Sequence, residues 1–262
     1  MNHLKLKNEL QLLLDKTCLL YNTPDFIRDD PIQIPHQFSR KEDIEISGFL
    51  TALIAWGRRD IIIRNAQRLI TLMDGEPYQF VMEFEEQDLA PFRTFVHRTL
   101  NGEDCIGLLQ SLQYVYQQQG GLEAIFSRPM NAQIDDVCPA ILHARSYLLG
   151  HAAMLARTHK HIANPSKGSS AKRINMFLRW MVRKDDKGVD FGLWKSILPR
   201  QLICPLDVHT GTIARKLGLL DRKQNDWKAA KALTQTLQQF DPDDPVRYDY
   251  SLFGMGVYGV MG

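Results

Sequence analysis

An all-α fold is predicted by three features of the sequence. Apolar residues recur at three- and four-residue steps along most of the chain, prolines fall between those stretches, and strand-like alternation bounded by hairpin turns is nearly absent. The first helix is read from "ELQLLLDKTCLLY", where Leu repeats at helical spacing, and the second from "DIEISGFLTALIAWG", where Ile44, Phe49, Leu53 and Trp56 do the same. Further helical stretches are expected over 60–73, 106–118, 121–127, 137–157, 171–183, 207–217, 227–240 and 247–260. Pro77, Pro91, Pro129, Pro165, Pro199, Pro205 and Pro242 punctuate them, as a residue that breaks helix interiors should. At 262 residues the chain can bury a large core, in one domain or two packed lobes. The expected division is a discontinuous helical lobe of residues 1–66 plus 210–262 and a central lobe of 67–209.

The connections are read in the same way. "TPDFIRDDPIQIPHQFSRKED" is expected to be irregular and to end at Asp43 as an N-cap. "NPSKGSSAK" at 164–172 is a loop closing just before a helix, and "RKDDKGVD" at 183–190 a polar turn. Pro205 ends one segment, Asp207 is placed to cap the next, and Gly218 stops it. In "DPDDP" Asp244 is expected to cap a last helix, with Pro245 at its first position.

Composition is that of an ordinary globular protein, 24% charged and 44% hydrophobic. The N-terminus has no signal-peptide core, and the longest clearly apolar run, "FLTALIAWG", is too short to span a bilayer. A soluble, cytoplasmic monomer with no membrane partner is the expectation. Cys18, Cys105, Cys138 and Cys204 are scattered, which argues against a zinc ribbon, a disulfide framework or an iron–sulfur cluster and for reduced, mostly buried thiols. Neither cofactor nor metal is called for. The net charge of +2 hides an asymmetry: from Arg145 to Arg200 there are twelve Lys or Arg against three Asp, a segment of +9. Such a segment suits a polyanionic partner as well as it suits a solvated surface.

Two places could carry chemistry. In "AKRINMFLRWMVRK", Lys172, Arg179 and Arg183 fall within about 40° of one another on a helix, opposite Ala171, Ile174, Phe177, Leu178 and Met181. This reads as an apolar seat under a cationic ridge. Its entry, Gly168-Ser169-Ser170, could offer backbone N–H groups to a phosphate. The second place is Asp207: a carboxylate fixed at a helix start satisfies the helix and can also stabilise a developing positive charge. Arg58 and Arg59, at a turn between helices, could touch DNA, and Trp56 or His209 could line a base pocket. For each tryptophan a core role is the stronger reading. "HKH" at 159–161 is more readily a basic surface than a metal pair, and "EFEEQD" at 83–88 a solvated acidic face.

"CPLDVHTGTIARKLGL" resembles the segment of helix-hairpin-helix DNA glycosylases in which an aspartate precedes a helix carrying an Arg and a Leu. "GSSAKRINMFLRWM" lies where bifunctional members carry a lysine nucleophile, Lys172, thirty-five residues before Asp207. That interval is most similar to the archaeal 8-oxoguanine glycosylase branch. "DIEISGFLTALIAWGRRDIIIRNAQRLI" is similar to the superfamily's early helix–turn–helix, and "DDPVRYDYSLFGMGVYGVMG" to its closing helix. Together these pieces resemble an uncharacterised bacterial family of this fold. The Leu-Pro-Gly-Val-Gly type hairpin is replaced by the 164–183 segment, no four-cysteine cluster follows, and a shift of one would put Arg173 at the nucleophile's place.

The resemblance implies a two-lobed bundle of the helix-hairpin-helix DNA glycosylase type, with Asp207 and Lys172 in the cleft between lobes. It implies base-excision repair on damaged double-stranded DNA: Asp207 and Lys172 catalytic, and Gly168, Ser169, Ser170, Arg173, Arg179, Arg58 and Arg59 on the DNA. The cations Arg173 and Arg179 would favour the neutral amine of Lys172. The rival readings are a non-catalytic nucleic-acid-binding protein on the same fold, a metal-dependent hydrolase using His151, His159 and His161, and a purely structural helical protein.

Overall fold

The computed structural model describes residues 3–259. Among them are twelve α-helices joined by short 3-10 turns, and one two-stranded ribbon. The chain is mostly helical, as its periodicity predicts. It divides into two compact units. One comprises Met1–Phe26, Ala132–Val137 and Pro165–Gly262; the other Ile27–Asn131 and Cys138–Asn164. The expected cuts at 66/67 and 209/210 are not where the chain divides. Residues 27–66 join the middle of the sequence, and residues 165–209 join the two termini. Helix α2 (Pro24–Asp29) straddles the first boundary.

The middle unit contains α3 (Lys41–Ile54), α4 (Arg59–Leu72), α5 (Pro77–Glu83), the ribbon β1 (Val96–His97) and β2 (Leu100–Asn101), α6 (Gly102–Gln118), α7 (Gly121–Ser127) and α8 (Cys138–Gly150). Eleven consecutive residues of α3, Ile44 to Ile54, are buried, which makes it a core helix and not a one-sided one. Asp43 does not cap it: the N-cap is Arg40, and the Asp43 carboxylate accepts from the Tyr78 N–H of α5 at 2.8 Å. The stretch expected to be irregular before it winds into helical turns at Pro24–Asp29, Pro31–Gln33 and Pro35–Gln37, each proline starting its turn.

Helix α6 starts with a capping box, Asn101 and Asp104 each accepting the other's N–H, at 3.2 and 3.0 Å. The fully buried Asp104 also accepts from Thr158 Oγ1 at 2.6 Å and Arg157 at 3.0 Å. One carboxylate thus starts a helix and fastens the 156–161 turn to it. Helix α8 stops at Gly150, short of the expected 157, and Ala156–His161 is a 3-10 turn.

The terminal unit contains α1 (His3–Tyr21), α9 (Lys172–Val182), α10 (Val208–Lys216), α11 (Trp227–Leu237) and α12 (Asp249–Tyr258). Helices α1 and α12 pack together although they lie at opposite ends of the chain. Ser251 Oγ donates to the Leu14 carbonyl at 2.7 Å, and Asp15 takes Arg247 and the Tyr248 hydroxyl, each at 3.0 Å. A Cβ on Gly254 would stand 2.1 Å from the Tyr21 ring, so only glycine lets the helices approach this closely. Residues 260–262 of the expected last helix lie outside the described residues.

Helix α9 is central to this unit: Ile174 to Val182 are all buried. The residues after it are more than a polar turn. They fold back so that the Phe191 and Trp194 N–H groups satisfy the Trp180 and Met181 carbonyls, both at 2.9 Å. Trp180 and Trp194 are core residues. The 132–137 segment joins this unit through Val137 N–H to the Gln201 carbonyl at 3.0 Å and the Gln201 amide to the Ile134 carbonyl at 2.7 Å. Cys18, Cys105 and Cys204 are buried free thiols and Cys138 is half-buried.

Candidate active site

Asp207 is the N-cap of α10, as its sequence predicts: Oδ1 accepts from the Thr210 N–H at 3.0 Å. That bond uses one carboxylate oxygen. The other, Oδ2, faces Lys172 Nζ at 3.7 Å, at the first position of α9. Both side chains are 26% exposed, so the pair is open to a ligand while being held by two helix starts. At 3.7 Å the contact is an ion pair without a hydrogen bond. Of Lys172 and Arg173, Lys172 is the one in this contact; Arg173 is half-buried, and desolvation lowers its pKa. Both members of the pair belong to the terminal unit, which replaces the expected placement between a lobe containing 67–209 and one containing 210–262.

Three segments converge here. The loop before α9 is tied to the residue preceding Asp207 by Ser170 Oγ, which donates to the Leu206 carbonyl at 3.2 Å. Ser169 forms a bridge with Asp226, and the Trp227 N–H donates to the Gly168 carbonyl at 3.1 Å. The loop's own geometry needs a left-handed backbone at Gly168, φ +86°, and at Ala171, φ +50°. Its amides are only partly available to an anion: the Gly168 N–H donates to Pro165 O at 2.9 Å and that of Ala171 to Ser169 Oγ at 3.2 Å. The expectation of an open amide cradle over 168–170 is corrected to that extent.

The cationic ridge is corrected more thoroughly. Arg179, on the last turn of α9, and Arg183, its extended C-cap, are only 4% and 3% exposed. Arg179 pairs with Asp190 at 3.2 Å and with Asp249, and lies over the Tyr250 ring at 4.3 Å. Arg183 pairs with Asp190 at 3.1 Å, Asp185 at 2.8 Å and Asp244 at 2.9 Å. These guanidiniums are spent on carboxylates, of which Asp190 and Asp249 are buried and Asp185 and Asp244 half-buried. Arg179 is therefore not a DNA contact, and its charge is balanced before it can act on Lys172. Asp244 sits at an N-cap position as expected, yet its carboxylate serves Arg183 and makes no cap bond.

Two cations face four carboxylates in this network, and the excess shows. Burial pushes the Asp249 carboxyl up to about 6 against the pull of Arg179 and Lys172, and the negative charge of Asp207 adds to the rise. Asp244 is likewise raised to about 6 by burial, against the pull of Arg183. Both groups bind a proton readily just below neutral pH. Sequence reasoning missed Asp190 and Asp249. The available signal was an aspartate inside apolar surroundings, "GVDFG" and "YDYSL", the same signal that singles out Asp207.

The remaining expected site residues are dispersed. His209 is exposed on the first turn of α10, against Gly256 of α12. Trp56, Arg58 and Arg59 belong to the middle unit. Trp56 is half-buried beside His97 and His161, with Arg98 over its ring at 5.1 Å. Arg58 is exposed and paired with Asp60 at 2.9 Å. The histidines of the metal reading do not form a site: His161 is buried 3.7 Å from Asp104, and His151 lies against Tyr114. Among the described residues no group of three His, Cys, Asp or Glu is placed to hold a metal ion. Nor is any described helix long and apolar enough to cross a membrane.

The chain belongs to the DUF2400 family, described as a protein of unknown function, which matches residues 30–258. No curated protein and no solved structure matches it.

Proposed function

We propose that this member of the DUF2400 family is a DNA-repair glycosylase with abasic-site lyase activity that excises a damaged base, an oxidised purine being the first substrate to test. The observation that supports the reading is the Lys172–Asp207 pair: an amine and a carboxylate thirty-five residues apart in sequence, 3.7 Å apart in space and partly exposed. A helical fold and the resemblance of both motifs to helix-hairpin-helix glycosylases agree with it.

The chemistry follows from what each group can do. A base in a duplex must leave the stack before its glycosidic bond is reachable. As that bond breaks, the sugar gains oxocarbenium character, and the Asp207 carboxylate stabilises the charge. Lys172, once its partly exposed ammonium has given a proton to solvent, forms the new bond to C1′ while the base departs with the electron pair of the old one. The proton shed by the amine is accepted by Asp207, whose Oδ2 is the nearer, uncapped oxygen. Ring opening gives a Schiff base, and loss of a C2′ proton then expels the 3′ phosphate. The supporting residues are a fixed carboxylate and an accessible amine; no metal enters any of these steps.

The test is borohydride trapping on duplexes carrying an abasic site or 8-oxoguanine. A covalent adduct in the wild type that disappears in Lys172→Ala is the expected result. No adduct from the wild type, or one that survives Lys172→Ala, overturns the lyase mechanism. Salt-sensitive binding retained by both Lys172→Ala and Asp207→Ala, without adduct or base release, would leave a non-catalytic DNA-binding protein.

A further inference from the structure

The loop over 221–226 lies outside every motif discussed above, yet it is bonded to Asp207. Asn225 Nδ2 donates to the Asp207 backbone carbonyl at 3.0 Å, and Asn225 Oδ1 accepts from Arg215 Nη2 at 2.6 Å. Arg215, on the last turn of α10, makes two further bonds to the same loop: Nε to the Arg222 carbonyl and Nη2 to the Lys223 carbonyl, both at 2.9 Å. The guanidinium thus closes the loop against the end of α10, while Asn225 closes it against the start. The Asp207 carbonyl already accepts the Gly211 N–H at 2.9 Å, so Asn225 uses its second lone pair. At Gly211 a Cβ would stand 2.7 Å from both Arg215 Nη1 and Asn225 Oδ1, so α10 needs glycine there for the brace to fit. The next residue, Asp226, caps α11 through the Ala229 N–H at 2.9 Å and is itself held by Arg222 Nε at 2.8 Å. Asp226 also bridges to Ser169, in the loop that delivers Lys172.

A carboxylate at a helix start has freedom in its own torsions and in the backbone that carries it. The cap bond to Thr210 fixes the former; the Asn225 bond fixes the latter. From this geometry we infer that Asn225, held by Arg215, is a positioning residue for Asp207: it sets where the carboxylate stands relative to Lys172 without touching DNA. The inference rests on the glycosylase reading for its effect on chemistry, but not for its effect on the Asp207 backbone. Catalytic geometry is sensitive to small displacements, a 1 Å misplacement costing on the order of 100-fold.

Asn225→Asp is the informative variant. It is isosteric, keeps an acceptor for Arg215, deletes the donor to the Asp207 carbonyl and adds a negative charge; Asn225→Ala deletes both bonds and adds none, so a response common to the two reports the lost donor. Two readouts are compared in the full chain. Single-turnover borohydride trapping on an abasic duplex is expected to slow about tenfold in both variants, a fraction of the loss a full misplacement brings, with the dissociation constant for the duplex and the melting temperature unchanged. Hydrogen exchange at the Thr210 and Gly211 amides, measured without DNA, is expected to speed up in both. Wild-type trapping together with wild-type exchange overturns the inference. A wild type that traps nothing, while exchange responds to Asn225→Asp, removes the glycosylase reading and leaves the brace standing. Normal wild-type trapping with neither readout responding removes the brace and leaves that reading intact.

Discussion

Replacing Arg179 with leucine tests the buried network at its centre. The substitution keeps an aliphatic side chain at a buried position but withdraws the guanidinium that bridges Asp190 and Asp249. Asp190 retains Arg183, whereas Asp249 loses the guanidinium that pairs with it. Breaking a buried pair by removing one partner costs about 3–5 kcal/mol, because the surviving charge is stranded away from water. For a chain of this size each kcal/mol moves the midpoint by roughly 2–4 °C, so Arg179→Leu should lower the melting temperature by about 6–20 °C. The cost should shrink on acidification, since a stranded carboxylate relieves itself by taking a proton. Thermal and urea unfolding at pH 7.5 and 5.5, followed by far-UV circular dichroism, measures both effects. Arg179→Leu/Asp249→Asn should recover part of the loss. Duplex DNA binding, measured by anisotropy on the folded variant, should be unchanged. A variant as stable as wild type but defective in DNA binding would refute the reasoning, because it would require Arg179 to reach a phosphate.

The raised carboxyls of Asp249 and Asp244 make a pH prediction with an unusual sign. Both titrate near 6 in the fold against 3.8 ordinarily, so between those values the folded state binds more protons than the unfolded one. Stability contributed by them is therefore gained as pH falls from about 7 to 4 and lost as it rises through 6, on the order of 3 kcal/mol for a two-unit shift at the buried Asp249. Urea midpoints at pH 5 and 7.5 should show wild type gaining more on acidification than Asp249→Asn; equal changes in the two proteins would sink the idea. At Asp207 structure and chemistry can be separated. Asparagine caps as well as aspartate, so Asp207→Asn should unfold like wild type while Asp207→Ala loses about 1 kcal/mol. Both should lose most base release and trapping, and an Asp207→Asn protein with wild-type activity would show that the charge is not needed.

Much of the fold was legible because helices announce themselves locally. The spacing of Leu in α1 and the Pro205-Leu206-Asp207 start of α10 need only a few consecutive residues to be recognised. The Asp207 cap was read from its position alone, and its proximity to Lys172 came from the resemblance of the two motifs. What stayed hidden depends on residues far apart in the chain. A helical wheel puts Lys172, Arg179 and Arg183 on one side of α9, but it cannot say whether that side meets water. Asp249, seventy residues beyond Arg179, and Asp244, sixty-one beyond Arg183, decide that it does not. The same limit hid Asn225, whose partners Arg215 and Asp207 lie ten and eighteen residues before it. The unit boundaries were missed because residues 165–209 look like a continuation of the middle helices, and only packing with the termini assigns them elsewhere.

That packing sets an order on biosynthesis. Domains fold as units while the ribosome is still working, N-terminal parts first. Here α1 is made well before its partner α12, whose Ser251 lies 237 residues after Leu14. The middle unit takes its residues from Ile27–Asn131 and Cys138–Asn164, so all of it is made while α1 still lacks its partner. Lys172 and Asp207 are both synthesised before α12, but Asp249, which pairs with Arg179, is delivered only by that helix. The surroundings of the candidate site are thus complete only once α12 has been made, and a nascent chain released before Asp249 would contain the amine and the carboxylate without the partner that Arg179 finds in Asp249.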